Sequence, residues 1–177
     1  MRFVDLTALL ADGMPVYPGD PEVRIRVVHT HERHDWEVRS LSLGTHSGTH
    51  VDAPSHMHVG AASLDQIPLD RFCGLARVVD PDSDWPMGRG LFFAQSAGIE
   101  LLERLTERMP KFVGGELSEP LERALLGRGI ITYTDLSGLE LLPKNKDFQF
   151  FGFPLRIAGA DGSPVRAVAI LEDETND

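Results

Sequence analysis

The sequence predicts a mixed α/β fold in one domain that spans residues 1–177. This length suits a single domain with a self-standing hydrophobic core. The hydrophobic share of 42% and the charged share of 25% are ordinary for a globular protein and argue against a disordered chain. Short β-branched or alternating segments outnumber the helical ones, which predicts a sheet with a few helices.

The strands are predicted from short apolar runs. Residues 23–29 (VRIRVVH) begin with alternation and are β-branched, and residues 36–43 (WEVRSLSL) alternate strictly. Strict alternation predicts that the second of these strands has one buried face. Further runs predict strands at residues 74–79, 90–94, 111–114, 130–134, 148–157 and 165–171.

Two longer segments carry the signals of helices. Apolar residues spaced by three and four predict an amphipathic helix at residues 97–109. A second helix is predicted at residues 118–128, with Ser118 as its N-cap and Gly129 beyond its end. Residues 64–72 are expected to form one short helical turn.

Charge and composition exclude several classes of partner. The formal net charge is -10 and no cluster of Lys or Arg is present, so a nucleic-acid partner is not expected. No apolar run approaches the ~20 residues that span a bilayer, so no membrane partner is expected. Cys73 is the single cysteine and the first residues lack the apolar core of a signal peptide, which together predict a cytoplasmic protein. The acidic residues 172–177 are expected to fray.

The histidines suggest the chemistry. His46, His50, Asp52 and His56 follow one another at short, regular spacing. In an extended segment, positions 46, 48, 50 and 52 share one face, and Gly48 leaves that face open between two imidazoles. Two imidazoles and a carboxylate suit Zn, Mn or Fe(II) with positions left for water and substrate. All seven histidines fall in the first third of the chain, at positions 29, 31, 34, 46, 50, 56 and 58.

These residues are predicted to have two different roles, metal binding and proton transfer. An ion held by His46, His50 and Asp52 would lower the pKa of a water molecule, and His56 would carry the proton. Pro54 turns the chain, so that His56 reaches the site without binding the ion. The earlier histidines are expected in a solvated loop, and Trp36 is expected to pack into the core.

The segment from His46 to His56 resembles the cyclase family at every fixed position of its HxGTHxDxPxH signature. That family includes bacterial kynurenine formamidase and isatin hydrolase. The loop PVYPGDP at residues 15–21 resembles the family's N-terminal substrate loop, and residues 153–170 also resemble family sequence. The resemblance therefore covers nearly the whole chain.

The resemblance implies a role for each matching residue. It implies that His46, His50 and Asp52 bind metal, that His56 is catalytic and that Tyr17 contacts the substrate. It also implies a swivelling β/β/α cyclase-like fold, a homo-oligomer (dimer or tetramer) and a small-molecule substrate. The implied activity is hydrolysis of a small amide, lactam or ester, with one divalent Zn or Mn per chain.

Two positions depart from the formamidase pattern, which adds a second metal through a histidine and a glutamate. The corresponding residues here are Glu122 and Thr134. Glu122 is a candidate additional ligand, and Asp135 is close in sequence to the lost glutamate. The alternative is that Glu122 and Asp135 are ordinary residues of a helix surface and a turn. A single-metal site fits this sequence better.

Four further questions stay open from sequence. A lyase or dehydratase would need the same metal and proton carrier, and a diverged homologue would bind a metal or ligand without catalysis. Arg166 either pairs with a carboxylate near the metal or lies on the surface. The aromatic run of residues 148–153 is expected in the core or in a subunit interface.

Overall fold

The computed structural model describes residues 1–172, so the predicted tail beyond Glu172 lies outside the described residues. The strands within this range are β1 Arg2–Asp5, β2 Arg24–His29, β3 Val38–Ser42, β4 His50–Asp52, β5 Cys73–Val78, β6 Gly90–Ala97, β7 Phe112–Leu117, β8 Ile131–Thr134, β9 Asp147–Phe151, β10 Gly162–Pro164 and β11 Val168–Leu171. The α-helices are α1 His31–His34, α2 Pro54–Met57, α3 Leu102–Arg108 and α4 Glu119–Leu126. Turns of 3-10 helix lie at Leu64–Gln66, Leu69–Phe72, Ile99–Leu101 and Leu139–Leu141.

Nine strands form one mixed sheet in the order β1-β11-β9-β5-β6-β7-β8-β4-β10. The central strands β5 to β8 run parallel, and α3 and α4 make the crossovers from β6 to β7 and from β7 to β8. The flanking pairs are antiparallel. β4, which carries two of the predicted ligands, therefore lies between β8 and the edge strand β10.

Alternation along the central strands supplies two hydrophobic cores. In β6, Leu91 and Phe93 face α3 and α4, whereas Phe92 packs with aromatic residues on the other side of the sheet. Burial of each such side chain stabilises the fold by ~1.5–3 kcal/mol relative to its exposure. In β8, the hydroxyl of the fully buried Tyr133 donates a hydrogen bond to the Gly152 carbonyl at 2.8 Å. This anchors the strand whose two threonines face β4.

Most of the predicted elements are present, with shifted ends. The strand predicted at 148–157 ends at Phe151, because Gly152 and Pro154 interrupt it. The segment predicted at 165–171 contains only β11, and β10 begins earlier, at Gly162. The Ser118 hydroxyl makes no capping bond, although α4 begins directly after it.

One predicted packing arrangement is wrong. β3 is a strand as predicted, but all five of its residues are exposed. It pairs with β2 in a two-stranded hairpin apart from the nine-stranded sheet, so its alternating pattern has no core to face. Trp36 precedes this strand and is 55% exposed, so the expectation that it packs into the core is also wrong.

Two smaller interpretations are settled by contacts. Arg166 forms an exposed ion pair with Asp5, with Nη2 and Oδ2 2.6 Å apart, so it lies on the surface. Within the aromatic run, Phe148 and Phe150 are buried in the core, whereas Phe153 is exposed. No helix among residues 1–172 combines the length and apolar character that crossing a membrane takes.

Candidate metal centre and active site

The segment that carries the predicted ligands is not extended throughout, as the sequence predicts, but begins with a turn. Only His50–Asp52 is strand, and the preceding residues form a turn in which Gly48 has a φ of +62°. A Cβ added to Gly48 would lie 3.0 Å from Leu10 Cδ2 of the N-terminal loop. Gly48 is therefore needed for a left-handed turn packed against that loop, and the prediction that it opens a face between two imidazoles is wrong.

Asp52 lies at the centre of the cluster. It is 1% exposed, and its Oδ1 is 2.7 Å from His46 Nδ1 and 3.4 Å from His50 Nε2. Its other oxygen, Oδ2, accepts a hydrogen bond from Thr132 Oγ1 at 3.2 Å. A buried carboxylate needs such partners, because an uncompensated charge away from water is costly.

Backbone and strand pairing orient His50. The Gly48 carbonyl lies 2.6 Å from His50 Nδ1, so Nδ1–H donates and the Nε2 lone pair is free to face inward. Thr134 is the cross-strand partner of His50, and its hydroxyl lies 2.7 Å from Nε2. The predicted ligand nitrogen thus faces Asp52 and a hydroxyl donor.

Asp161 also belongs to the cluster, although no local pattern in the sequence singles it out. Its Oδ2 lies 3.0 Å from His46 Nε2 and 3.5 Å from His56 Nδ1. The two imidazole rings are 3.8 Å apart between centroids. Asp161 lies between the strands predicted at residues 148–157 and 165–171, and that position is its only signal in the sequence.

The surroundings favour positive charge at this site. Burial works against a charged His46, but the carboxylates of Asp52 and Asp161 outweigh it and raise its pKa to about 9. The pKa of His50 is raised in the same way, against burial, mainly by Asp52. Burial opposes ionisation of Asp161, yet the His46 contact lowers its pKa to about 2. The pKa of Asp52 is also held below its ordinary value, because His46 and His50 offset the effect of burial.

The donor set fits a divalent metal ion. One ligand atom from each of His46, Asp52 and His56 lies within 4.8 Å of the others. His50 lies outside this group of three, although its Nε2 is 3.4 Å from Asp52 Oδ1. Imidazole nitrogens and a carboxylate are the ligands that Zn and Mn sites use, and the close His46–Asp52 pair already favours a bound cation, in the form of a proton.

The two residues considered for a second metal, Glu122 and Asp135, lie in different environments. Glu122 is half-buried, and its Oε1 lies 2.9 Å from Thr132 Oγ1, the hydroxyl that also faces Asp52. Burial, together with the nearby charge of Asp52, raises its pKa to about 7, so it is no ordinary helix-surface residue. Asp135 has an exposed side chain and a φ of +52°, as expected of a turn residue.

The predicted substrate-loop residue stands apart from the cluster. Tyr17 is 72% exposed, in a turn where its carbonyl accepts a hydrogen bond from the Asp20 amide. Its loop approaches the site through Leu10 and Met14, which lie beside Gly48. A cavity of about 760 Å³ lies elsewhere, between Arg2, Leu75, Gln149 and their neighbours, and none of the predicted site residues lines it. The chemistry of the side chains, not cavity size, therefore locates the candidate site.

Comparison with known proteins identifies the family. A family model described as "Putative cyclase" matches residues 4–110, more than half of the chain. The chain belongs to the cyclase family. A kynurenine formamidase from Salinibacter ruber is 30% identical, with 95% of this chain and 97% of that protein covered. The similarity to this formamidase therefore extends over nearly all of both chains.

Solved cyclase-like structures have the same fold. Isatin hydrolase A from Labrenzia aggregata, bound to benzyl benzoate, superposes with a TM-score of 0.81 at 22% identity, covering 97% of this chain and 94% of that one. A protein described as a potential metal-dependent hydrolase with cyclase activity gives a TM-score of 0.77 at 23% identity, with coverage of 95% and 96%. The predicted cyclase-like α/β fold is confirmed.

Proposed function

We propose that this cyclase-family protein is a metal-dependent hydrolase that cleaves a C–N bond in a small amide or lactam, or the C–O bond of a related ester. The amide chemistry is supported by the relatives named kynurenine formamidase and isatin hydrolase, and it agrees with the class expected from sequence. The observation that carries the proposal is the buried Asp52 carboxylate, whose one oxygen contacts nitrogens of both His46 and His50.

In this proposal His46, His50 and Asp52 hold one divalent ion per chain, Zn or Mn. Bound there, the ion supplies Lewis acidity, which polarises a carbonyl group and lowers the pKa of water. Glu122 is the candidate for an additional ligand, since its carboxyl group lies beside Asp52 and both contact the Thr132 hydroxyl. Thr134 occupies the position of the glutamate that binds the second metal in the formamidase pattern. Without that carboxylate, a single ion is favoured.

His56 is the proposed proton shuttle. Its side chain is 30% exposed at the mouth of the cluster, whereas Asp52 is enclosed, so a substrate can reach it. In hydrolysis, His56 takes a proton from the water that attacks the carbonyl carbon. It returns that proton to the nitrogen as the C–N bond breaks, so that the amine leaves neutral.

Substrate contact and assembly complete the proposal. Tyr17 would contact the substrate from the N-terminal loop, which already packs beside Gly48. We propose a homo-oligomer, a dimer or tetramer, because the hairpin β2–β3 exposes apolar residues that include Val28 and Leu41. We also propose a single domain, because β1 and β11, from opposite ends of the described chain, share one sheet. A cytoplasmic location is proposed because the sequence has one cysteine.

Metal analysis combined with turnover tests this function. Protein purified without chelator is expected to contain about one Zn or Mn per chain, and to hydrolyse N-formylkynurenine, isatin or an aryl ester only while metal is present. In water labelled with oxygen-18, one labelled atom is expected in the product. Metal-free protein, or metal-loaded protein that converts none of these substrates, would contradict the proposal. Product without the label would indicate a lyase or dehydratase instead.

A further inference from the structure

The backbone holds Asp161 rigidly beside the proposed metal ligands. Asp161 directly precedes β10, in which Gly162 is the register partner of Asp52. The Asp161 carbonyl accepts a hydrogen bond from the Ala53 amide at 2.8 Å. Backbone pairing with the residues at and directly after Asp52 therefore fixes the position of Asp161.

One carboxylate oxygen of Asp161 serves two imidazoles. Oδ2 lies 3.0 Å from His46 Nε2 and 3.5 Å from His56 Nδ1. The other oxygen, Oδ1, accepts a hydrogen bond from Thr45 Oγ1 at 2.9 Å, which fixes the rotation of the carboxylate. Oδ2 is thereby directed at the pair of rings.

Gly162 confines the His46 ring from the other side. A Cβ added to Gly162 would lie 2.4 Å from His46 Cε1 and 2.8 Å from its Nδ1. The ring therefore lies directly against the β10 backbone, where a side chain would displace it. Asp161 and Gly162 together determine where His46 lies and which of its nitrogens faces Asp52.

We propose that Asp161 is a positioning residue for both the metal ligand His46 and the proton shuttle His56, an inference that rests on the proposed metal-dependent function. By accepting a hydrogen bond from His46 Nε2–H, Asp161 leaves Nδ1, which faces Asp52, as the nitrogen that would exchange its proton for a metal ion. Carboxylates that orient metal-binding histidines in this way fix the ring and raise its basicity, and their loss typically weakens metal binding by ~10–100-fold.

The same oxygen assigns the working atom of His56. His56 Nδ1 is the ring nitrogen directed at Asp161 Oδ2, at 3.5 Å, so Nε2 is the nitrogen left to exchange protons with water and the leaving group. Loss of the carboxylate should therefore lower kcat beyond its effect on metal affinity. Substrate binding, which Asp161 does not contact in this scheme, should be little changed.

Zn²⁺ affinity of the metal-free protein, measured by competition with a chromogenic chelator, tests the inference without any substrate. Asp161→Asn keeps the shape and the Thr45 contact but removes the charge, and a loss of ~10–100-fold in affinity is expected. Asp84→Asn is the matched control, because Asp84 is exposed and pairs with Arg108 on the surface. Its Zn²⁺ affinity is expected to equal that of the wild type.

Two further variants and a kinetic measurement complete the test. Thr45→Val, which frees the carboxylate to rotate, and Gly162→Ala, which displaces the ring, are each expected to weaken Zn²⁺ binding. At saturating Zn²⁺, Asp161→Asn should lower kcat with KM changed less than about twofold. If Asp161→Asn does not fold, the Zn²⁺ affinity of Thr45→Val, which leaves all charges in place, tests the positioning role instead.

The outcomes separate this inference from the proposed function. Wild-type Zn²⁺ affinity in both Asp161→Asn and Thr45→Val would overturn the positioning role, even in an active hydrolase. A wild-type protein that binds Zn²⁺ but hydrolyses nothing would refute the function, and the affinity comparison would still decide the role of Asp161. A wild-type protein that binds no Zn²⁺ would refute both.

Discussion

Two groups of three histidines occupy contrasting parts of the molecule. The first group, on β2 and α1, consists of His29, His31 and His34; the second, around β4 and α2, consists of His46, His50 and His56. Both groups contain a close ring pair, at 4.3 Å between centroids in the first group and 3.8 Å in the second. Ring proximity therefore does not distinguish them.

The hydrogen-bond partners do distinguish the two groups. In the first, His29 Nδ1 accepts from the Trp36 indole and His34 Nδ1 accepts from the Thr30 amide, both of which are donors. In the second, His46 lies between the carboxylates of Asp52 and Asp161, which are acceptors. Acceptors that converge on imidazoles favour a bound cation, whereas a ring nitrogen that already accepts a hydrogen bond is occupied. A metal site is therefore determined by what surrounds the histidines more than by their number.

The largest expected effect is the loss of metal from the second group. His50→Ala removes a nitrogen that faces the buried Asp52 oxygen, and should reduce bound Zn or Mn from about one per chain to near none. Hydrolysis should then fall below detection. Elemental analysis with turnover measures both. His34→Ala is the control, and equal metal loss in the two variants would erase the contrast between the groups.

The second expected effect separates metal binding from catalysis inside the second group. His56→Ala should retain the metal but lose about 100-fold or more in kcat, the usual contribution of a general base. The ion remains because His46, His50 and Asp52 are intact. Metal content and kcat are measured on the same sample. A variant that turns over at the wild-type rate would show that His56 is not the proton carrier.

A third, smaller effect concerns pH and the carboxyl beside Asp52. The pKa of Glu122 is about 7 in the fold against an ordinary value of 4.5, so the folded protein keeps a proton that the unfolded chain releases. Its contribution to stability is present below pH 4.5 and is lost as pH rises through about 7. Glu122→Gln removes this dependence while retaining a donor toward Asp52.

Thermal unfolding of the metal-free proteins tests this linkage. The melting temperature of Glu122→Gln minus that of the wild type should increase between pH 4.5 and about 7. Glu119→Gln on the same helix is the control, because the Glu119 carboxylate is exposed and pairs with Arg123. A difference that stays constant over this range would show that Glu122 keeps its ordinary titration in the fold.

The sequence revealed the parts of the site that are local in the chain. The spacing of His46, His50 and Asp52 was sufficient to predict a donor cluster, since strand pairing places His50 and Asp52 on one side of β4. Asp161 was missed because it is 115 positions beyond His46 and reaches it only when β10 pairs with β4. A contact that depends on strand order leaves no local pattern in a single sequence.

The errors in the predicted fold have the same origin. Alternation in β3 correctly indicated a strand, but an alternating pattern cannot show whether another layer covers the strand. Glu122 illustrates the reverse case. Its position on α4 is polar and ordinary in sequence, and only the packing of the helix beside β8 turns it toward Thr132 and Asp52.

The smallest expected effect is in the first histidine group. The double variant His29→Ala/His34→Ala removes the stacked ring pair of the first group, yet its Zn²⁺ affinity should match that of the wild type. The reason is that these two imidazoles accept hydrogen bonds from the Trp36 indole and the Thr30 amide, and not from carboxylic acids. Exposed substitutions of this kind usually change stability by no more than ~0.5 kcal/mol. The measurement is the chelator competition used for the second group, with the melting temperature alongside. A substantial loss of Zn²⁺ affinity would mean that the hairpin reaches the metal centre, for example across a subunit interface, and the two groups would then belong to one site.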